Sequence, residues 1–262
     1  MNKVSANLNM LFTHVPLLER YAAAAAAGFK LVEVSIPYSE SAEKLREAAD
    51  SHKIKHTLIN APPGCWSEGF RGLASLASQM QQFRESIDIA IEYANILDCP
   101  RVHVMAGIPL LSDDISKSSS VYLENVKFAT ERLHDHHLLC LIEPINNYTI
   151  PGYFLNNYQQ AKQMIDTLNH PNLKIQYDVF HGQQINGQII ETIRRLENDI
   201  GYIQVAQVPN RGACDTSGEL DYNYIFSKIK EINSDWIIGA EYLDPKCTPT
   251  SFDWIHKMSL SF

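Results

Sequence analysis

Four polar residues in the second half of the chain close or interrupt apolar runs, and their types and spacing suit one kind of chemistry. Leu138-Leu139-Cys140-Leu141-Ile142-Glu143 and Leu173-Lys174-Ile175-Gln176-Tyr177-Asp178 end in carboxylates. Tyr202-Ile203-Gln204-Val205-Ala206-Gln207 carries two amides, and Trp236-Ile237-Ile238-Gly239-Ala240-Glu241 ends in a third carboxylate. From Glu143 to Asp178, Gln204 and Glu241 the successive intervals are 35, 26 and 37 residues, each about one strand-helix unit. On adjacent strands of a barrel the four groups would share one arc of its mouth. Three carboxylates converging on an apolar funnel repel one another and lose hydration, which is costly unless a cation compensates. Oxygen donors from Asp, Glu and an amide suit a hard divalent ion, Mg²⁺ or Mn²⁺, better than a thiolate-preferring metal. The plainer alternative is that each acid caps the following helix or pairs with a nearby Arg. Gln204 and Gln207 are three apart and strand side chains alternate faces, so only one can point inward; strand-end position alone favours Gln207.

The elements that must position these groups are legible as an alternation of short β-rich runs and longer amphipathic segments, the pattern of a parallel sheet. Strands are predicted at 4–10, 30–35, 54–60, 101–105, 138–143, 173–178, 202–207 and 236–241. Helices are predicted near 15–27, 41–52, 73–97, 118–136, 156–169, 183–198 and 221–232, with a closing segment near 250–258. Pro16 suits a first helical turn, the Ala22 to Ala27 run is a strong helix former, and Gly28 stands where a C-terminal cap belongs. Ser41 is a predicted N-cap, as is Asn156 or Asn157. A doubly wound open sheet would normally carry a Gly-rich turn after its first strand. Here that turn reads Asn9-Met10-Leu11-Phe12-Thr13-His14, and neither GxGxxG nor a P-loop occurs. Eight units in 262 residues, with no Pro- or Ser-rich linker, predict a single (β/α)8 TIM barrel domain spanning 1–262.

Composition narrows the function. The net charge is −8, and no basic run exceeds Arg194-Arg195, which argues against a nucleic-acid partner. Five cysteines, far apart and without a CxxC pair, fit neither a disulfide framework nor a zinc ribbon, so a reducing, cytoplasmic setting is expected. The N-terminal segment has no apolar stretch ahead of a cleavage site, and no window of about 18 apolar residues occurs, so no membrane partner is expected. Assembly into a homo-oligomer stays open.

Longer motifs then identify a family. Asn7-Leu8-Asn9-Met10-Leu11-Phe12-Thr13, Arg71-Gly72, Cys99-Pro100-Arg101-Val102-His103-Val104-Met105-Ala106-Gly107, Ile142-Glu143-Pro144-Ile145-Asn146, Pro151-Gly152-Tyr153-Phe154-Leu155 and Gly218-Glu219-Leu220 resemble hydroxypyruvate isomerases over essentially the whole chain. These lie within the xylose-isomerase-like barrels that also include ketose 3-epimerases and endonuclease IV. The resemblance implies that Glu143, Asp178, Gln204 and Glu241 hold the metal, which settles Gln204 against Gln207. It implies that Glu143 and Glu241 are the catalytic, proton-transferring pair, and that His181 and Arg211 contact a small 2-oxo acid or sugar-like substrate. The chain departs from the family pattern at Arg211-Gly212-Ala213-Cys214, where Arg-His-Glu-Pro is usual, and at Cys65-Trp66, where an acid commonly precedes the Trp.

The implied reaction interconverts hydroxypyruvate and 2-hydroxy-3-oxopropanoate. Moving a carbonyl to the neighbouring carbon removes a proton α to it, forms an enediolate and returns a proton to the other carbon. Other readings are an isomerase or epimerase of a longer 2-oxo acid or ketose, and a metal-binding barrel that has lost activity, which the altered loop after Arg211 favours. A retaining glycosidase would use two strand-end carboxylates without a metal. A repair nuclease would need several metals and many His ligands. His134, His136 and His137 cluster at a helix end, where a solvated face suits them. His103 lies within a strand and suits a pocket wall or a hydrogen-bonded core site. Trp66, Phe12 and Phe70 suit either an apolar wall over the substrate or packing beneath loops. Cys65 and Cys214 sit in loops at the predicted catalytic face without an adjacent base motif, and neither is assigned a role.

Overall fold

The predicted apolar runs form strands with few outward polar residues because each is covered on both faces, by helices outside and by the barrel interior inside. The computed structural model describes residues 1–109, 114–244, 247–248 and 250–262. Its strands are β1 (Val4–Asn7), β2 (Leu31–Val34), β3 (Lys55–Asn60), β4 (Arg101–His103), β5 (Leu139–Ile142), β6 (Leu173–Asp178), β7 (Ile200–Val205) and β8 (Ile238–Ala240). They pair in chain order, all parallel, and β8 returns to β1 through Val4 opposite Ile238, closing the barrel. The fold is a TIM barrel, as the spacing of the runs predicts.

Around it lie α1 (Leu17–Ala26), α2 (Ala42–Ser51), α3 (Met80–Leu97), α4 (Ile115–His134), α5 (Tyr158–Leu168), α6 (Val179–Ile185), α7 (Ile189–Arg195), α8 (Tyr222–Ile232) and α9 (Asp253–Lys257). Ser41 caps α2 by accepting from the Lys44 amide, and Asn157, rather than Asn156, caps α5 by accepting from the Gln160 amide at 2.8 Å. The segment predicted as one helix at 183–198 is two. α6 starts directly from β6, and Asn186-Gly187-Gln188 separates it from α7, with Gln188 in the left-handed region at φ 51°. α3 begins later than predicted, after a 3₁₀ turn at Ala77–Gln79.

Inside, the barrel is layered. At its lower end Leu58, Leu141 and Tyr202 pack together, and Ser5, Thr57 and Tyr202 link their hydroxyls at 2.8 and 3.0 Å. Above this plug the inward residues become carboxylates and amides. Two register shifts occur at this transition, between Val32 and Glu33 on β2 and between Ile175 and Gln176 on β6. Such irregularities re-aim the following side chain, and here those are Glu33 and Gln176. Gly239 on β8 provides the space: a Cβ there would lie 2.3 Å from Glu33 Oε2.

Candidate active site

β5 to β8 bring the four predicted strand groups together. Glu143 follows β5 and is buried; its Oε2 accepts from Gln176 Nε2 at 2.9 Å, while its buried Oε1 has no hydrogen-bond partner among the described residues. Asp178 ends β6 with 0% exposure. Its Oδ1 accepts from the Phe180 amide at 2.8 Å, capping α6, and its Oδ2 accepts from Arg211 Nη2 at 3.1 Å. Gln204 lies opposite Asp178 in the β6–β7 register and is held at both ends of its amide. Nε2 donates to Glu33 Oε1 at 2.7 Å, and Oε1 accepts from Gln176 Nε2 at 2.6 Å. Glu241, just past β8, accepts from Arg211 Nη2 at 2.5 Å and from Asn7 Nδ2 at 3.1 Å. Gln207 lies two residues beyond β7, where it donates to Thr216 O and Leu220 O and accepts from the Val208 and Leu220 amides. It fastens a loop and does not join the cluster.

His181, on the first turn of α6, is buried with Nε2 3.6 Å from Asp178 Oδ2 and 3.9 Å from Glu143 Oε1. One nitrogen of His181 and one carboxylate oxygen each from Glu143 and Asp178 all lie within 4.8 Å of one another, close enough to hold an ion. The tautomer argues otherwise for the imidazole. Asn146 Oδ1 accepts from the Tyr148 and Thr149 amides, both at 2.9 Å, so its Nδ2 faces His181 Nδ1 at 2.6 Å. Nδ1 therefore accepts, and the proton sits on Nε2, aimed at the carboxylates. Burial, with the Arg211 charge nearby, holds the imidazole pKa well below its ordinary value, so His181 is a neutral donor.

The electrostatics show a shortage of positive charge. Burial, reinforced by Glu241 and Asp178, pushes the Glu143 pKa well above the carboxylate range, against the pull of Arg211. Burial raises Asp178 to about 7 even with Arg211 beside it. Ionised, Glu143, Asp178 and Glu241 would face the single guanidinium of Arg211, leaving two negative charges uncompensated, which one divalent cation would match. The unpartnered Glu143 Oε1 and the all-oxygen donor set fit such an ion. Of the four expected ligands, Glu143 and Asp178 present oxygens close enough to share an ion, while the Gln204 carbonyl faces Gln176 Nε2 and Glu241 faces Arg211.

Three contributors escape a search for strand-end acids. Glu33 sits within β2, wholly buried, and accepts from Asn7 Nδ2 at 2.8 Å, Tyr202 Oη at 2.6 Å and Gln204 Nε2. Burial and the Glu241 charge push it up to about 8, so at neutral pH it is largely a neutral acid under the site. Asn7 ties Glu241 to it directly, and Gln176 ties Glu143 to it through Gln204. The signal for Glu33 was present, since an acid inside Leu31-Val32-Glu33-Val34 is out of keeping with an apolar strand.

The mouth opens into a cavity of about 420 Å³ lined by Glu143, Glu241, His181 and Arg211, and also by His103, Asn60, Trp66 and Arg71. His103 hydrogen-bonds Asn60 at 3.3 Å, lies 3.7 Å from Glu143 Oε2 and leaves Nε2 unpartnered; burial lowers its pKa to about 3. Of the three aromatics considered, only Trp66 lines this cavity. Phe12 is buried against Phe29 and Phe252, and Phe70 lines a neighbouring cleft. His134 and His137 are exposed, as a solvated face requires. Cys65 is exposed outside the cavity wall, Cys214 is buried, and all five thiols are free.

A closed parallel barrel with a carboxylate cluster at its C-terminal mouth is the architecture of the xylose isomerase-like TIM barrel family, and this chain belongs to it, matching the family over residues 21–258. It is 66% identical over 261 residues to a Caenorhabditis elegans protein named for hydroxypyruvate isomerase activity, covering 100% of this chain and 98% of that one. The 2-oxo-tetronate isomerase of Cupriavidus necator is 38% identical and the hydroxypyruvate isomerase of Escherichia coli is 35% identical, each over 97% of this chain and 98% of the relative. A crystal structure titled as an AP endonuclease, family 2, from Brucella melitensis superimposes with a TM-score of 0.94 at 34% identity, covering 98% of this chain and 99% of that one. With these homologues the chain is an isomerase.

Proposed function

We propose that this isomerase interconverts hydroxypyruvate and 2-hydroxy-3-oxopropanoate, with Glu143 and Glu241 as the proton-transferring pair. The observation that carries the reading is the convergence of these two carboxylates on one cavity, with one oxygen of Glu143 unpartnered. One glutamate accepts a proton from the hydroxymethyl carbon; the released electron pair forms the C2–C3 double bond, and the C2 oxygen takes up the negative charge. Protonation of C2 by a glutamate, with transfer of the C3 hydroxyl proton to the C2 oxygen, then completes the transfer of the carbonyl to C3. The Nε2–H of His181 and the Arg211 guanidinium hold the substrate's oxygens in place. Asp178, Gln204 and the two glutamates would hold a Mg²⁺ or Mn²⁺ ion, which when bound supplies Lewis-acid charge to the enediolate and lets the buried carboxylates ionise.

A longer 2-oxo acid is the second reading. The cavity of about 420 Å³ has room beyond a three-carbon acid, and a homologue is named for a four-carbon one. A metal-binding barrel without turnover would show affinity alone. The acidic chain and carboxylate-lined cavity disfavour a phosphate backbone as substrate. No described helix is long and apolar enough to cross a membrane, and the free thiols suit a cytoplasmic setting. NMR of hydroxypyruvate and a panel of 2-oxo acids and ketoses, with Mg²⁺ or Mn²⁺ and beside a chelated control, tests the proposal. Conversion of hydroxypyruvate that chelation stops is the expected result; metal-supported conversion of other panel members only, or of none, would refute it.

A further inference from the structure

The two cations that line the cavity among the described residues are engaged differently. Arg211 is bound to Asp178 and Glu241. Arg71 lies on the loop between β3 and α3 and, among the described residues, pairs with no carboxylate. Its Nη1 donates to Trp66 O at 3.0 Å and Phe70 O at 2.7 Å, and its guanidinium stacks over the Trp66 indole at 3.8 Å. Nε and Nη2 donate to no described residue, which leaves one edge of the planar fork for a ligand. The backbone beside it is fixed. Gly72, at φ 117°, bridges Ala106 beyond β4, and a Cβ there would lie 2.4 Å from Met105 O.

We propose that Arg71 binds the carboxylate of a 2-oxo acid substrate and selects acids over neutral ketoses, an inference that rests on the isomerase reading of the site. An anionic substrate entering this cavity meets Glu143 and Glu241, and the two imidazoles, His103 and His181, lie against Glu143 and Asp178. Arg211 is already matched by two carboxylates. Of the two lining arginines, Arg71 is the one without a carboxylate partner among the described residues, and its stacked guanidinium presents the geometry that pairs bidentately with a substrate carboxylate. Trp66, 46% exposed, serves as the platform that holds the fork in place.

The test compares wild type, Arg71→Ala and Arg71→Lys, all with Mg²⁺, by calorimetric binding of glycerate and of dihydroxyacetone, a three-carbon acid and a neutral ketone, and by NMR kinetics on hydroxypyruvate. Arg71→Ala should weaken glycerate about 30-fold, the scale of a charge-assisted pair, and dihydroxyacetone no more than about threefold. The kinetic loss should fall mainly in KM, and Arg71→Lys should recover part of it. Glycerate binding within about threefold of wild type in Arg71→Ala would overturn the proposal, as would equal losses for the acid and the neutral ketone, the mark of a merely structural role. If wild type leaves hydroxypyruvate unconverted, the substrate assignment falls, and the contrast between glycerate and dihydroxyacetone still decides the role of Arg71.

Discussion

The two halves of the barrel mouth are built from different chemistry. The half formed by β5 to β8 gathers Glu143, Asp178, Gln204 and Glu241 around Arg211, with two carboxylates pushed up in pKa by burial. The half formed by β1 to β4 lines the same cavity with Asn9, Ser35, Asn60, a neutral His103 and the unpaired Arg71. One side is short of positive charge, and the other holds a cation that pairs with no carboxylate among the described residues. A barrel can divide labour this way because each strand end supplies its own loop while the strands keep a rigid frame. Further down the barrel this contrast gives way to hydroxyls that bond one another, as in Ser5, Thr57 and Tyr202. The buried atoms without partners include Glu143 Oε1, Gln176 Oε1 and His103 Nε2, all at the mouth. That is where a substrate or ion would satisfy them.

The largest effect should come from the acidic half. Glu241→Gln preserves shape and removes one of the proposed proton carriers, so hydroxypyruvate isomerisation should fall about 10³-fold or more while circular dichroism is unchanged. A variant within tenfold of wild type would remove Glu241 from the mechanism. The half that carries Arg71 should respond less, through the loss of acid binding expected of Arg71→Ala.

The buried carboxyls of the barrel interior should also show themselves in the pH dependence of stability. In the folded, metal-free chain Asp178 titrates near 7 and Glu33, beneath the site, near 8, whereas in the unfolded chain both titrate near 4. Their protonated forms are therefore favoured by folding. That stabilisation is complete below about pH 4 and fades as pH rises through 7 and 8. Metal-free protein should melt at a lower temperature at pH 8.5 than at pH 5.5, and saturating Mg²⁺ or Mn²⁺ should narrow the gap by favouring the ionised forms. Melting curves that run the other way would show that these carboxyls are not held protonated. The smallest effect belongs to Cys65, on the Arg71 loop but exposed outside the cavity wall. Cys65→Ser should leave kcat/KM within about twofold, and a larger loss would extend the substrate-reading half beyond the cavity lining.

Most of the frame was legible because parallel strands covered on both faces write themselves as apolar runs, and a polar residue closing such a run stands out. Glu143, Asp178 and Glu241 were found this way. Alternation could not choose between Gln204 and Gln207, since the end of β7 at Val205 is set by pairing with β8 and not by composition. Glu33 was missed because it interrupts its run instead of ending it, and it fits only because Gly239 on β8 has no side chain. Arg71 carries no periodic signal at all. Its importance appears only when the fold places its loop against the same cavity as Glu143 and gives it no carboxylate partner among the described residues. The break between α6 and α7 was likewise hidden, although Asn186-Gly187 is a sequence that favours one.

Whether the acidic half holds a divalent cation is decided most directly by titrating Mn²⁺ into the metal-free protein and following free Mn²⁺ by electron paramagnetic resonance. Wild type should bind one ion per chain, and Glu143→Gln/Asp178→Asn should bind about 100-fold more weakly or not at all, while melting no lower than metal-free wild type because it mimics the protonated carboxyls. Equal Mn²⁺ affinity in the two proteins, or no binding to wild type, would contradict the account.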